Sequence, residues 1–327
     1  MFLAGFGAIT PVGSNAPINA VSVQAGVNRL TDHPYLTDED GEALVIGRVQ
    51  FIDEVLSGSQ RLIALGLPAL DECLGHLPTQ QRQKSVPVLL SLPEIRPGLE
   101  ATELTAVQSE IAEHLLSSGR ANLHQLAHGP TGPLTALAEA RLLLENGAAD
   151  YVIVGGIDSY YHPETLRWLE REGHLYCTNN PTGFIPGEAA AFCLLSPKSI
   201  GEKPIRILRD SCIALEADAP SGETLANLIK DLCEPLPENT KLATVLCNLN
   251  GEHHRAEEFL AAYFRASKWF DDPSEYQAPS DLWGDVGAAW VPLLLLQFHH
   301  QRHNRQGSPS LVWTGDERQR AAALIEV

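Results

Sequence analysis

The residues of this 327-residue chain best suited to nucleophilic or acid–base chemistry are its 12 histidines and 6 cysteines. A catalytic thiol needs a base or a positive charge beside it, and a metal needs ligands at fixed short spacing. The cysteines, at 73, 177, 193, 212, 233 and 247, form neither a CxxC pair nor another metal-ligand spacing. Cys247 lies in the apolar run 244–249 and reads as a small core hydrophobe. Cys177, in Leu175-Tyr176-Cys177-Thr178, reads as a loop cysteine, with a relocated nucleophile as the alternative. Neighbouring residues on a helix point about 100° apart, so His253-His254 reads as a solvated helix start rather than a metal pair. His299, His300 and His303, close to Arg302 and Arg305, read as a polar helix end. His124 and His128 flank the turn Gly129-Pro130, and His128 could point into a pocket there or bond to loop backbone. No metal or cofactor is expected.

Charge narrows the partners. The balance of 23 Lys+Arg against 41 Asp+Glu gives a net −18, which repels nucleic acid and anionic membranes. The apolar start, Met1 to Gly7, is too short and uncharged for a signal peptide, and the run 291–297 is far too short to span a bilayer. Scattered cysteines in apolar runs fit a reducing cytosol, so a cytoplasmic location is expected. Trp168, Trp269, Trp283, Trp290 and Trp313 are too dispersed for a stacking surface and read as core or interface anchors.

Positioning such residues requires a frame, and the pattern supplies one. Strands are expected at 2–6 (broken by Gly7), 85–92, 151–154, 188–195, 205–208, 244–249, 311–313 and 321–325. Helices are expected at 17–27, 61–77, 104–116, 133–145, 162–171, 223–232, 255–266 and 286–299. Asn146-Gly147 should cap the fourth of these helices. Strand and helix alternate in each half, which predicts parallel-rich sheets with helices on their faces. The shared order implies pseudo-duplication, with halves 1–198 and 199–327. Loose loops are expected at 38–42 and 271–279.

Four motifs give a stronger reading as an ordered set than singly. The first is the opening Gly5-Phe6-Gly7-Ala8-Ile9-Thr10-Pro11-Val12-Gly13. The second runs from Gly129-Pro130-Thr131-Gly132-Pro133 through Asn146-Gly147 to the strand ending in Gly155-Gly156. The others are Gly183-Phe184-Ile185-Pro186-Gly187-Glu188-Ala189-Ala190 and the fainter Trp283-Gly284-Asp285-Val286-Gly287-Ala288-Ala289. Together they resemble the β-ketoacyl synthases, a branch of the thiolase-like superfamily. The resemblance implies an α/β thiolase-like fold of two βαβαβαββ halves in an α-β-α-β-α layering. Ketosynthases are longer, which implies trimmed loops around the acyl tunnel, and their C-terminal glycine-rich element has no clear match here.

The family's chemistry is Claisen condensation by a cysteine with two hydrogen-bonding groups. Gap-free counting from Gly147 and Gly155-Gly156 puts the cysteine's position at Pro130. One histidine position falls on Asn248 or Asn250, depending on which glycine Gly251 represents, and the other on Asp285. Proline removes the thiol and also the backbone N–H that family members use in the oxyanion hole. The resemblance therefore implies a catalytically inactive, ketosynthase-like pseudoenzyme. Any residual pocket would draw on His128, Gly129, Thr131, Phe184, Glu188, Gly251 and Gly284; for Glu188 a structural reading, a tight loop entering a strand, is favoured.

Thiolase-fold proteins pair beside the nucleophile helix, so a homodimer or a heterodimer with a related chain is expected, through 151–154 and the strand before Gly129. Asn248-Leu249-Asn250-Gly251-Glu252 and Gly284-Asp285-Val286-Gly287 are similar to short ketosynthase-like proteins of bacterial type VI secretion clusters. That likeness implies an accessory or chaperone for an effector or adaptor protein. The alternatives are a non-catalytic partner subunit, like a chain-length factor, and an acyltransferase using Cys177 or His128.

Overall fold

A computed structural model describes residues 1–81, 85–119, 123–127, 129–199, 204–210, 214–215, 221–271, 276–301 and 307–327. His128, Cys212, Arg302, His303 and Arg305 lie outside the described residues, so the roles read for them stay at the level of sequence.

The first half contributes β1 (Phe2–Ile9), β4 (Val88–Leu92), β5 (Leu123–Ala127), β6 (Val152–Ser159) and β7 (Glu188–Ser196). A separate hairpin, β2 (Leu30–Thr37) and β3 (Ala43–Gly47), stands apart from them. The second half contributes β8 (Arg206–Asp210), β10 (Val245–Cys247), β11 (Tyr276–Gln277), β12 (Ser310–Gly315) and β13 (Gln319–Glu326), with the short β9 (Ala214–Leu215) paired to β13. Strand order is β5-β4-β6-β7-β1 in one half and β11-β10-β12-β13-β8 in the other. Each half thus places its strands in the order third, second, fourth, fifth, first. In both, the first three strands listed pair in parallel and the rest antiparallel. The halves meet at Phe2 opposite Arg206.

Helices complete five layers. α2 (Gly58–Gly75) and α3 (Ala101–Ser117) cover the outer face of the first sheet, where Leu70, Ile111 and Leu90 share one apolar cluster. α4 (Gly132–Glu145) and α9 (Trp290–Gln301) fill the middle, packed against Val154 and Cys193 on one side and Val312 and Ala323 on the other. α6 (Glu223–Cys233) and α7 (His253–Arg265) cover the outer face of the second sheet with Trp313 and Leu324. The remaining helices are α1 (Ala16–Gln24), α5 (Pro163–Arg171) and α8 (Ser280–Trp283). This is the α-β-α-β-α layering, with a βαβαβαββ order of main elements in each half. The 198/199 division falls between β7 and β8.

Local chemistry explains the boundaries. Proline at the start of α4 and Gly147 at φ +67° after Asn146 begin and stop that helix. Gly156 in β6 is where a Cβ would come within 1.8 Å of the Ala288 carbonyl oxygen, so only glycine lets the two segments meet.

Several expectations need correction. β1 does not stop at Gly7 but runs to Ile9, because α2 packs on that glycine so closely that a Cβ would meet Ala69 O at 2.0 Å. The helix expected from residue 286 begins with a separate 3-10 turn, Gly287–Ala289, whose first two backbone N–H groups donate to Asp285 and Asp158. Residues 38–42 form an ordered hairpin turn, since Asp38 Oδ1 accepts from the N–H groups of Asp40 (3.0 Å) and Glu42 (2.9 Å). Part of 271–279 is strand β11. Finally, β6 bonds β4 on one side and β7 on the other, so it has no free edge for a partner; β5 is the outermost strand of its half.

Candidate functional site

Charged side chains converge at the carboxyl ends of the parallel strands, where open α/β sheets place their ligands. The segment after β4 brings Glu94 and Arg96, and the turn after β5 brings Gly129 and Pro130. The end of β6 brings Asp158 and Tyr160, the loop after β10 brings Glu252, and the turn after β12 brings Asp316, Glu317 and Arg318. His174 and Phe184 come from the segment before β7, and His254 and Arg255 from the start of α7. They enclose a cavity of about 330 Å³ together with Asp285.

Pro130 sits in the 3-10 turn Gly129–Thr131 at the foot of α4. Its carbonyl accepts from Thr314 Oγ1 at 2.9 Å, and the Gly129 carbonyl accepts from Ser91 Oγ at 3.1 Å. The turn is therefore fixed from both halves of the molecule, yet the ring offers neither nucleophile nor N–H to the cavity.

Asp285 accepts three hydrogen bonds. Oδ1 accepts from Gly287 N and Trp290 Nε1, both at 2.9 Å, and Oδ2 accepts from Asn250 Nδ2 at 2.8 Å. Asn250 is bonded to Asp285 but is not itself part of the lining. Asn248 instead exchanges two hydrogen bonds with the Gly315 backbone, at 2.8 and 3.0 Å, and lies outside the cavity.

Two ion-pair clusters flank Asp285. Arg96 Nη2 donates to Asp158 Oδ1 at 2.6 Å and to Ser159 O at 2.8 Å, and its guanidinium lies 4.3 Å from the Tyr160 ring centre. Burial opposes the Arg96 charge, but Asp158, Tyr160 and Asp285 raise its pKa. Burial, reinforced by Asp285 and Asp158, lifts the Tyr160 phenol well above its ordinary range. On the other side Glu252 bonds His174 Nδ1 at 3.0 Å and Arg255 Nε at 2.8 Å. Burial works against the Glu252 charge, yet His174, Arg255 and Asn250 together lower its pKa to about 2. The hydrogen bond to Glu252 raises His174 in turn. Glu94 is different: burial and the nearby Asp316, Glu317 and Asp158 raise its pKa, with only Arg318 opposing.

Of the residues singled out in the sequence, Gly129, Pro130, Trp168, Phe184, Glu252, His254 and Asp285 line this cavity. Thr131 is buried beside it and donates to Gln319 Oε1. Gly251 and Gly284 adopt φ of +106° and +82° and shape loops outside the lining. Glu188 belongs elsewhere: it is fully buried against Arg61 of α2 (2.5 and 2.7 Å), and also accepts from Val49 N and Ser159 Oγ. It is a structural ion pair, not a pocket wall.

His253 turns away to pair with Glu257 at 3.1 Å, while His254 faces the cavity. His124 lies 3.7 Å from Glu139 on the surface, and His299 rests on the Phe6 ring. None of the described cysteines lines the cavity. Burial pushes Cys193, Cys233 and Cys247 up to about 12 and Cys73 well above its usual value, so these thiols are inert. Cys177 is in a tight turn with Asn180 and outside the cavity.

Reading by sequence missed Arg96, Asp158, Tyr160, His174 and Arg255. Asp158 carried a legible sign, being an acid at the end of an otherwise apolar strand. Arg96, Tyr160 and His174 come from loops with no motif of their own, and Arg255 from the first turn of α7.

The strand order and layering find matches over the whole chain. The chain has TM-score 0.80 and 13% identity to an acyl-carrier protein–ketosynthase complex of a type II polyketide synthase, covering 100% of this chain and 98% of that one. It has TM-score 0.73 and 17% identity to the ishigamide ketosynthase/chain length factor, covering 100% and 99%. The fold is that of the ketosynthases. A ketosynthase from module 6 of the bacillaene synthase of Bacillus subtilis 168 also shares it, with TM-score 0.73 and 16% identity over 99% of this chain and 71% of that chain. Within the ketosynthase-like chain, residues 128–200 match the model of the beta-ketoacyl synthase N-terminal domain. That segment contains the Pro130 turn, α4, β6, α5 and β7. No curated protein sequence matches the chain.

Proposed function

We propose that this ketosynthase-like chain is a non-catalytic member of its fold that works by binding another protein. One observation carries the reading: the turn at the foot of α4 presents Pro130, opposite an Asp285 that accepts three hydrogen bonds, where condensation needs a thiolate and neutral hydrogen-bond donors. The absence of a described thiol from the cavity lining supports it. Exposure of the purified protein to acyl carrier-protein thioesters, followed by intact-mass measurement, should give no acyl adduct. An adduct on any residue lining the cavity contradicts the proposal.

The partner we favour is a second thiolase-fold chain, identical or related, added at the free edge of β5. An unpaired strand edge is a ready template for such an addition. Neighbours of the fold include a ketosynthase paired with a chain length factor, which supports a partner-subunit role. The second option is an adaptor or effector of type VI secretion, as the sequence likeness implies. Affinity capture from the native cell separates them, since a cysteine-bearing ketosynthase marks the first and a secreted cargo the second.

A further inference from the structure

The cavity has lost the features of an acyl site without becoming inert. Its floor is internally paired but retains unused donors. Arg96 engages Asp158 and Ser159 through Nη2 alone, and its side chain is only 8% exposed while its Nε is buried without a partner. Arg255 commits Nε to Glu252 and Nη1 to the Gly315 carbonyl at 3.0 Å, leaving Nη2. The carboxylates of the floor already hold other donors: Asp285 accepts three hydrogen bonds, and Asp158 accepts from Arg96 and from Ala288 N. Such a floor calls for an acceptor group from outside.

The mouth has the opposite need. Glu94 lines the cavity with no hydrogen bond or ion pair among the described residues, in the field of Asp316, Glu317 and Asp158. Asp316 keeps one carboxylate oxygen, Oδ2, buried without a partner. Among the described residues, Arg318 is the cation that acts on Glu94, and Glu317 reaches His174 at a loose 3.9 Å. A group carrying positive charge is the missing component.

We infer that the cavity is a binding site for a small zwitterion of the α-amino-acid or dipeptide type, its carboxylate at Arg96 and Arg255 and its ammonium at Glu94 and Asp316. The volume of about 330 Å³ is at the lower end of ordinary ligand pockets, roughly 300–1,000 Å³, and suits a molecule of that size. Tyr160, Trp168 and Phe184 provide aromatic walls for the remainder of the ligand, and Tyr160 already stacks one cation, Arg96. A fatty acyl chain would bury its methylenes against ionised groups and is disfavoured. The inference deepens the non-catalytic reading, since the ligand is bound and released unchanged.

The test is calorimetric titration of the full chain with the free amino acids and a set of dipeptides, each beside its N-acetyl and C-amide forms. At least one free zwitterion should bind, and blocking either end should weaken binding by roughly tenfold or more, the loss expected for a charge-assisted bond. Glu94→Gln, which removes no existing partner, should weaken the free form by a similar factor, leave the N-acetyl form unaffected and keep the thermal midpoint. No binding across the panel, equal binding of blocked forms, or displacement of the zwitterion by Mg²⁺ or Ca²⁺ alone would overturn the inference. Intact mass after exposure to carrier-protein thioesters, run beside the titrations, keeps the two readings apart. A covalent adduct contradicts the non-catalytic proposal, whereas silent titrations contradict only the zwitterion site.

Discussion

Pro130 and Glu188 show how unlike the fates of two motif residues can be. Pro130 and the neighbouring Gly129 are held by Thr314 and Ser91, one from each half, so the fold fixes this turn on both sides. Glu188 was legible as a motif position, but its partner was not: Arg61 is 127 residues away in sequence, and only the packing of α2 on β7 brings them together. Both side chains of that pair are fully buried, with every charged atom in hydrogen-bonding contact. Removing one partner strands the other charge in the core. Glu188→Ala should therefore destabilise the protein by about 3–5 kcal/mol in urea unfolding, while replacing both residues by apolar side chains of similar volume should be much milder. A loss below about 1 kcal/mol for Glu188→Ala would show that the pair is not buried as described.

The hairpin β2–β3 was missed in the sequence because Leu30-Thr31-Asp32-His33-Pro34-Tyr35 alternates poorly and contains a proline. What holds it is His33, stacked on Tyr161 at 5.0 Å, with Nδ1 accepting from the N–H groups of Tyr35 and Leu36, both at 3.1 Å. Burial, then Arg48, Arg61 and Arg167, lowers its pKa to about 4. A histidine depressed in the fold binds its proton first in the unfolded chain, from its usual value near 6.5. Stability contributed by the neutral ring should thus be full above pH 6.5 and fall away as pH drops towards 4. A proton NMR titration should find the His33 ring still neutral at pH 5, and an ordinary midpoint near 6.5 would contradict that packing. The long periodic helices were by contrast legible to within a few residues, since their apolar spacing is local. Short edge strands such as β11 owe their existence to a neighbour and left no pattern of their own.

The whole molecule repeats one strand order twice and places its charged cavity where the halves meet at their strand ends. That duplication could be read from alternating strand and helix, whereas the ionic lining could not, because it is assembled from loops of both halves. Light scattering of the purified 35.5 kDa chain should give twice that mass, through the free edge of β5, unless a related chain takes the place of the second copy. A strictly monomeric protein in the presence of its native cell extract would contradict that assignment. The decisive measurement concerns chemistry at Pro130 and Asp285. Labelled malonyl carrier protein incubated with the chain should release carbon dioxide no faster than malonyl carrier protein alone. Release that rises in proportion to protein concentration, and is lost on altering residues of the cavity, would mean that an active ketosynthase centre persists.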